Sequence, residues 1–474
     1  MDRLPLLLTS WLLATAALAQ APATSPAPLP LPAPPAPLAK SELQQRRATL
    51  ATAIAAKYPE RRTVVLLRGA GKTADMGAFV QDQDFLYLGG VAEPNLALLL
   101  VPGPGGSLEV DELLVPPHSP FAATWDGNFL APGEAAAKRT GFATVGNVRS
   151  LHRRLAELLA PAADGSRPLL LTLQEAAART GSTPGKANET AQAVQQDKFD
   201  GRPSREQALR SALQQAHEGL ELAPLEPLLH QQRHVKSAAE IVLLTQAAEI
   251  AAEGIAEAMR TTRPGLYEFQ VAATARFVFT LRGAGPDAYA AIVGGGPNGC
   301  ILHYNTCERQ LVDSDLIVMD YAPTVHGYAA DVTRTFPAAG KFTPEQRKLV
   351  QDVHDIQQQL IAMVKPGAKL SAIGKRCAQL LKERGYRSDH GPCHHVGLAV
   401  HDPYVDELAA GMVITVEPGA YLRDAGMGCR IEDTILVTAD GCTLLSAGVP
   451  STPDAIEALM AEPGVLDHFG GARK

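Results

Sequence analysis

No dense run of lysine and arginine occurs in the 474 residues; 43 Lys and Arg stand against 50 Asp and Glu, for a net charge of −7. That excludes the electrostatic footprint of a nucleic-acid or anionic-membrane binder and leaves a small molecule or a peptide as the expected partner. No Cys-x-x-Cys pair occurs among the six cysteines, Cys300, Cys307, Cys377, Cys393, Cys429 and Cys442. A chain of this length builds its core without staples, so buried free thiols are expected rather than disulfides. The apolar run at the N terminus, Leu4 to Ala17, falls short of the ~20 residues that a membrane-spanning helix needs. No cysteine stands directly after Ala17-Leu18-Ala19, where a lipid would be attached, so no lipid anchor is expected there.

With 46% hydrophobic and 20% charged residues, the rest is the composition of a soluble globular protein, too long for one ordinary domain. Residues 1–19 read as a secretory signal ending in Ala17-Leu18-Ala19, which implies export to a periplasmic or extracellular location with no stable membrane anchor after cleavage. Residues 20–40 are almost wholly Pro, Ala and Leu, the composition of an extended spacer. From 41 to 225, short apolar runs such as Thr63-Val64-Val65-Leu66-Leu67 and Leu96 to Val101 alternate with helix-like segments such as Leu151 to Leu159, an α/β pattern.

From 226 to 465 the pattern duplicates itself. A helix over Lys236–Arg260 with an apolar stripe (Ile241, Leu244, Ala248, Ala252, Ile255, Met259) stops at Arg263-Pro264-Gly265. A second starts at the capping box Thr343-Pro344-Glu345-Gln346 and stops at Lys365-Pro366-Gly367. Each leads through another helix into strands, Leu316–Asp320 and Ala330–Phe336 in one half, Met412–Glu417 and Gly428–Val437 in the other. Asp331 and Glu432 repeat at the same offset of roughly a hundred residues. The expectation is an α/β (α+β) chain whose C-terminal part folds two repeats into one curved, helix-backed sheet with pseudo-two-fold symmetry.

Carboxylates in buried strands are costly unless something pairs with them. Asp320 ends Leu316-Ile317-Val318-Met319, Glu417 ends Val413-Ile414-Thr415-Val416, and the two-residue period sets Asp331 with Thr333 and Thr335, and Arg430 with Glu432. Four such carboxylates beside histidines require a cation. Hard oxygen ligands with a single imidazole suit Mn²⁺, Co²⁺ or Zn²⁺, and four carboxylates can neutralise two divalent ions.

These residues resemble the ligand pattern of the pita-bread metallopeptidases, and of aminopeptidase P (Xaa-Pro aminopeptidase) in particular. The resemblance rests on Asp320 in Val318-Met319-Asp320-Tyr321, Asp331 eleven residues on, His394 in His390-Gly391-Pro392-Cys393-His394-His395, Glu417 in Glu417-Pro418-Gly419 and Glu432 in Arg430-Ile431-Glu432-Asp433. Gln81 to Gly90 and Trp125-Asp126-Gly127 resemble that family's N-terminal domain. The resemblance implies a pita-bread catalytic domain and two metal ions, foremost Mn²⁺ with Co²⁺ or Zn²⁺ open. It also implies peptide substrates with an Xaa-Pro N terminus and a homodimer or homotetramer. Asp331 and Glu432 would bridge the ions, Asp320 complete one site, and His394 with Glu417 the other. A bridging hydroxide would attack the carbonyl before proline, with Glu417 shuttling its proton. His303 and His401 would serve the oxyanion or the leaving nitrogen, and Arg430 would steady the carboxylates. His395 is expected to support His394 without binding metal. A prolidase, restricted to Xaa-Pro dipeptides, shares these ligands and is the alternative; a metal-free or creatinase-like relative would lack the acidic set.

Overall fold

The structure, a computed structural model, describes residues 33–72, 78–179 and 183–469. The signal sequence and the first part of the Pro-rich spacer, to residue 32, lie outside the described residues. The end of the spacer, 33–39, does not hang free as its composition suggests. Pro34, Pro35, Pro37 and Leu38 line a groove with Phe79, Leu86 and Leu398, and His326 Nε2 donates to the Pro35 carbonyl at 2.9 Å. Pro35 and Leu38 are partly buried there, Leu38 against the main core, while Pro34 and Pro37 stay exposed at the rim.

Helix α1 (Lys40–Lys57) follows and buries Leu43, Leu50, Ala51 and Ile54. It packs on a six-stranded mixed sheet of β1 (Thr63–Arg68), β2 (Ala97–Pro102), β3 (Leu108–Val115), β4 (Thr144–Asn147), β5 (Leu169–Thr172) and β6 (Leu222–Pro224), in the order β4-β3-β2-β1-β5-β6. Strand β1 is apolar without alternation because both faces are covered. Val65 and Leu67 join the main core with Leu50 and Phe85, while Val64 and Leu66 face Leu155, Leu158 and Leu213 on the other side. The intervening helices are α2 (Gln83–Gly89), α3 (Pro120–Asp126), α4 (Glu134–Thr140), α5 (Leu151–Leu158), α6 (Pro184–Gln196) and α7 (Arg205–Ala216). Helix α8 (Glu226–His234) then leads out of this sheet.

The remaining chain carries the two repeats. Helix α9 (Ala238–Thr261) is capped by the Ser237 hydroxyl and Glu240 and is followed by α10 (Glu268–Leu281). Then come β7 (Ile292–Gly295), β8 (Leu316–Asp320), the short hairpin β9 (Thr324–Val325) and β10 (Tyr328–Ala329), and β11 (Thr333–Pro337). Helix α11 (Pro344–Ile361) starts at the capping box of Thr343 and Gln346, and α12 (Leu370–Glu383) follows. After them come β12 (Val413–Val416), the hairpin β13 (Gly419–Leu422) and β14 (Met427–Arg430), β15 (Asp433–Val437), β16 (Cys442–Leu444) and α13 (Pro453–Met460). In each half an antiparallel pair, β8 with β11 and β12 with β15, encloses one hairpin. The helix stops match bond for bond. Gly265 N donates to Leu311 O and Gly367 N to Leu408 O, both glycines having positive φ, and the bridges Tyr267 to Gln310 and Lys369 to Glu407 repeat one residue pattern.

The structure corrects the expectation of one continuous sheet. The strands form separate ladders of three, three, two and two, joined across the halves by a bridge from Thr333 to Glu432. The run Gly428–Val437 breaks at Ile431-Glu432, and β11 starts at Thr333, so Asp331 and Glu432 both sit just outside regular strand. Leaving the ladder frees these two residues to turn inward. A single large core cluster runs from Leu50 and Val65 through α9 to Ile317 and Val413. All six cysteines are free thiols, four of them buried.

Candidate metal centre

The two inner strand pairs bring four carboxylates and one imidazole to a common point. Asp320 ends β8, Asp331 follows the β9–β10 hairpin, Glu417 follows β12, and Glu432 links β14 to β15. His394 reaches in from a loop whose backbone is pinned to β12, with His394 N donating to Thr415 Oγ1 at 3.1 Å and Thr415 N to His394 O at 2.8 Å. Ligand atoms of Asp320, Asp331 and Glu432 all lie within 4.8 Å of one another, as do those of His394, Glu417 and Glu432. These two triads share Glu432. A third grouping joins Asp331 and His394 to His401.

The polarity of the groups decides what belongs between them. His394 Nδ1 lies 3.1 Å from the His395 carbonyl and donates to it, which fixes the tautomer with the Nε2 lone pair pointing inward. That Nε2 faces Asp331 Oδ2 at 3.4 Å, Glu417 Oε1 at 3.4 Å and Glu432 Oε1 at 4.0 Å. Acceptors converge there on acceptors. Glu432 Oε1 is fully buried with no hydrogen-bond partner among the described residues. Burial, followed by the surrounding carboxylates, raises the pKa of Asp331, Glu417 and Glu432 well above the ordinary range. Burial also lowers His394 to about 4, so its ring is neutral and available as a ligand. A donor set of this kind fits divalent cations.

The outer oxygens are held by donors. Tyr289 OH reaches Asp320 Oδ1 at 2.6 Å and Asp331 Oδ1 at 2.7 Å. Arg430 spans the halves: Nη2 donates to Asp320 Oδ2 at 2.7 Å, Nε to Thr333 Oγ1 at 3.1 Å and Nη1 to Tyr421 OH at 3.0 Å. Burial alone would weaken its charge, but Tyr421 and the carboxylates around it hold the guanidinium protonated. Thr333 Oγ1 in turn donates to Glu432 Oε2 at 2.6 Å. Asp331 and Glu432 are thus each oriented through one oxygen and Asp320 through both, the kind of arrangement in which supporting groups tune metal ligands.

The structure places His303, Asp320, Asp331, His394, His401, Glu417, Arg430 and Glu432 in one neighbourhood. His303 and His401 stand on the open side, both exposed. The His401 ring is edge-on to His394 with centroids 4.0 Å apart. Desolvation beside the cluster, with His394 and His303 nearby, lowers its pKa to about 3. His395 turns away, its Nε2 bonded to Val405 O at 2.9 Å. Sequence reasoning gave no role to Tyr289, Tyr421 or His390, whose Nδ1 is 3.6 Å from Glu417 Oε2 and whose Nε2 is 3.0 Å from Tyr421 OH. His390 was visible in the His-rich segment; a lone tyrosine in Asp287-Ala288-Tyr289-Ala290 carries no such signal.

Comparison with known proteins agrees with this geometry. The model of metallopeptidase family M24 matches residues 242–439, a span that includes every residue of the cluster, and the aminopeptidase P N-terminal domain model matches 43–165. The Xaa-Pro aminopeptidase of Haemophilus influenzae is 30% identical over 460 residues, covering 89% of this chain and 98% of the relative. The Xaa-Pro aminopeptidase of Escherichia coli is 37% identical over 268 residues, covering 49% of this chain and 61% of the relative. Among solved structures, zinc-substituted E. coli aminopeptidase P in complex with product superimposes with a TM-score of 0.74 at 28% identity, covering 90% of this chain and 99% of that one.

Proposed function

This chain belongs to the aminopeptidase P family of metallopeptidases, and from that premise we propose how its residues divide the work of releasing an N-terminal residue that precedes proline. The observation that carries the reading is the pair of triads sharing Glu432, with its unpartnered Oε1 aimed into a cluster of acceptors. Asp331 and Glu432 would help to hold both ions, Asp320 would complete the ligands of one, and His394 with Glu417 those of the other. A bound pair of divalent ions supplies Lewis acidity and a water acidic enough to act as nucleophile at neutral pH.

The protein's own groups do the rest. Glu417, at the edge of the cluster, takes the proton of the attacking water and delivers it toward the leaving imide nitrogen. His401 and His303, on the open side, offer N–H hydrogen bonds to the carbonyl oxygen as it gains charge. Arg430 keeps Asp320 aimed inward, and Tyr289 holds Asp320 and Asp331 together through one hydroxyl. Hard oxygens with one imidazole favour Mn²⁺, and the zinc-substituted relative supports Zn²⁺ as an occupant of the same donor set. The signal-like residues 1–19 support export, so the reaction runs outside the cytoplasm.

Glu432→Ala removes the residue common to both triads. It is expected to abolish bound metal, read by elemental analysis, together with turnover; full activity in this variant sinks the assignment.

A further inference from the structure

Outside the metal cluster, a concentration of buried charge surrounds Asp402, the residue after His401. Its carboxylate is almost wholly enclosed and takes Arg233 Nη2 on Oδ1 at 2.5 Å and Lys236 Nζ on Oδ2 at 3.2 Å. Arg233 uses its other arm on Asp84 Oδ1 at 2.7 Å. These four residues come from separate parts of the chain: Asp84 from α2 in the N-terminal half, Arg233 from α8, Lys236 from the turn before α9, and Asp402 from the histidine loop.

The same carboxylate also shapes the backbone between the two histidines. Ala399 N donates to Asp402 Oδ1 at 3.3 Å, and Asp402 N donates to His395 O at 2.9 Å. A side chain at Gly397 would run into the Asp402 carboxylate. The turn from 395 to 402 is therefore wound around one buried anion. Burial would raise the Asp402 pKa, but Arg233 and Lys236 bring it down to about 2, so the anion persists through the working pH range. Buried ion pairs gain little over apolar packing, and their best use is to specify geometry.

We propose that Asp402 is a positioning residue, locked by Arg233 and Lys236, that holds the His401 ring against His394 above the carboxylate cluster. Through Asp84 the N-terminal half takes part in placing a group that acts in the catalytic half. This inference rests on the role given to His401 above.

A double-mutant cycle on the full-length, metal-loaded enzyme separates positioning from bulk stability. With an Xaa-Pro-Yaa peptide, Asp402→Asn is expected to lower kcat about tenfold or more with metal content unchanged, and by less than about twofold when His401 is already Ala. Losses that multiply in the double variant, or a loss of metal in Asp402→Asn, overturn the proposal while leaving the role of His401 standing. Full kcat in His401→Ala overturns that role and the proposal with it. If Asp402→Asn does not fold, Arg233→Lys, which keeps the charge but loses the two-armed contact, replaces it in the same cycle with the same expected non-additivity.

Discussion

At Glu432, one carboxylate oxygen accepts from the Thr333 hydroxyl while the other has no donor and faces His394 and Asp331. Without a cation such a site is a liability. The raised carboxyls of Asp331, Glu417 and Glu432 bind more protons in the folded metal-free protein than in the unfolded chain. Their contribution to stability is therefore full below the ordinary carboxylate range and is lost as pH rises through the raised values. The lowered His394 and His401, at about 4 and about 3, work the other way. Theirs is full above the ordinary histidine pKa and is lost as pH falls from there toward the lowered values. Above pH ~7 the histidine contribution is constant, so the carboxylates alone govern the trend. Chelated Glu432→Gln, read by thermal unfolding at pH 8, is expected to melt higher than the chelated parent and to gain nothing from added metal. A lower melting point would show that the cluster is not strained without its cations.

At the scale of elements, the loop between β14 and β15 is fixed from behind. Arg334 on β11, 1% exposed, donates to the Glu432 carbonyl and pairs with Asp433 at 2.7 Å, and Gln357 of α11 and Ser446 bind the same aspartate. Arg334→Leu leaves Asp433 buried and under-compensated. It should cost about 3–5 kcal/mol in denaturant unfolding, and a cost below about 1 kcal/mol would deny the network a structural role.

The repeats were legible in the sequence because helix stops, strand runs and acidic residues shift together, and β8 spans the apolar run that Asp320 ends. The breaks at Val332 and Ile431 were not legible. A two-residue period continues through a short interruption unchanged, so Ala330–Phe336 and Gly428–Val437 read as single strands while the chain turns in their midst. The carboxylates of the candidate site drew notice in the sequence because a carboxylate at the end of an apolar run, such as Asp320 or Glu417, is costly to bury without a cation beside it. Tyr289 and the Asp402 cluster were not, since their meaning lies in partners from distant parts of the chain.

At the scale of the whole molecule, the N-terminal sheet and the repeats are tied by buried polar contacts as well as by a shared core. Arg46 of α1 donates to the hydroxyl of Tyr328, three residues before Asp331, at 2.9 Å, and that hydroxyl donates to Glu240 at 3.0 Å. The Pro-rich stretch 33–39 closes over the same hairpin through His326. His326→Ala removes that one hydrogen bond and should cost about 0.5–1.5 kcal/mol of stability with kcat unchanged. An unchanged melting point would mean that the stretch adds nothing to the fold.

The central claim is that the chain hydrolyses the bond before proline and needs the cations its acidic cluster holds. The direct test is release of the N-terminal residue from an Xaa-Pro-Yaa peptide by chelated enzyme, with Mn²⁺, Co²⁺ and Zn²⁺ then restored one at a time. The account predicts no release after chelation and recovery with metal, Mn²⁺ foremost. Undiminished release by protein shown to be free of metal contradicts it.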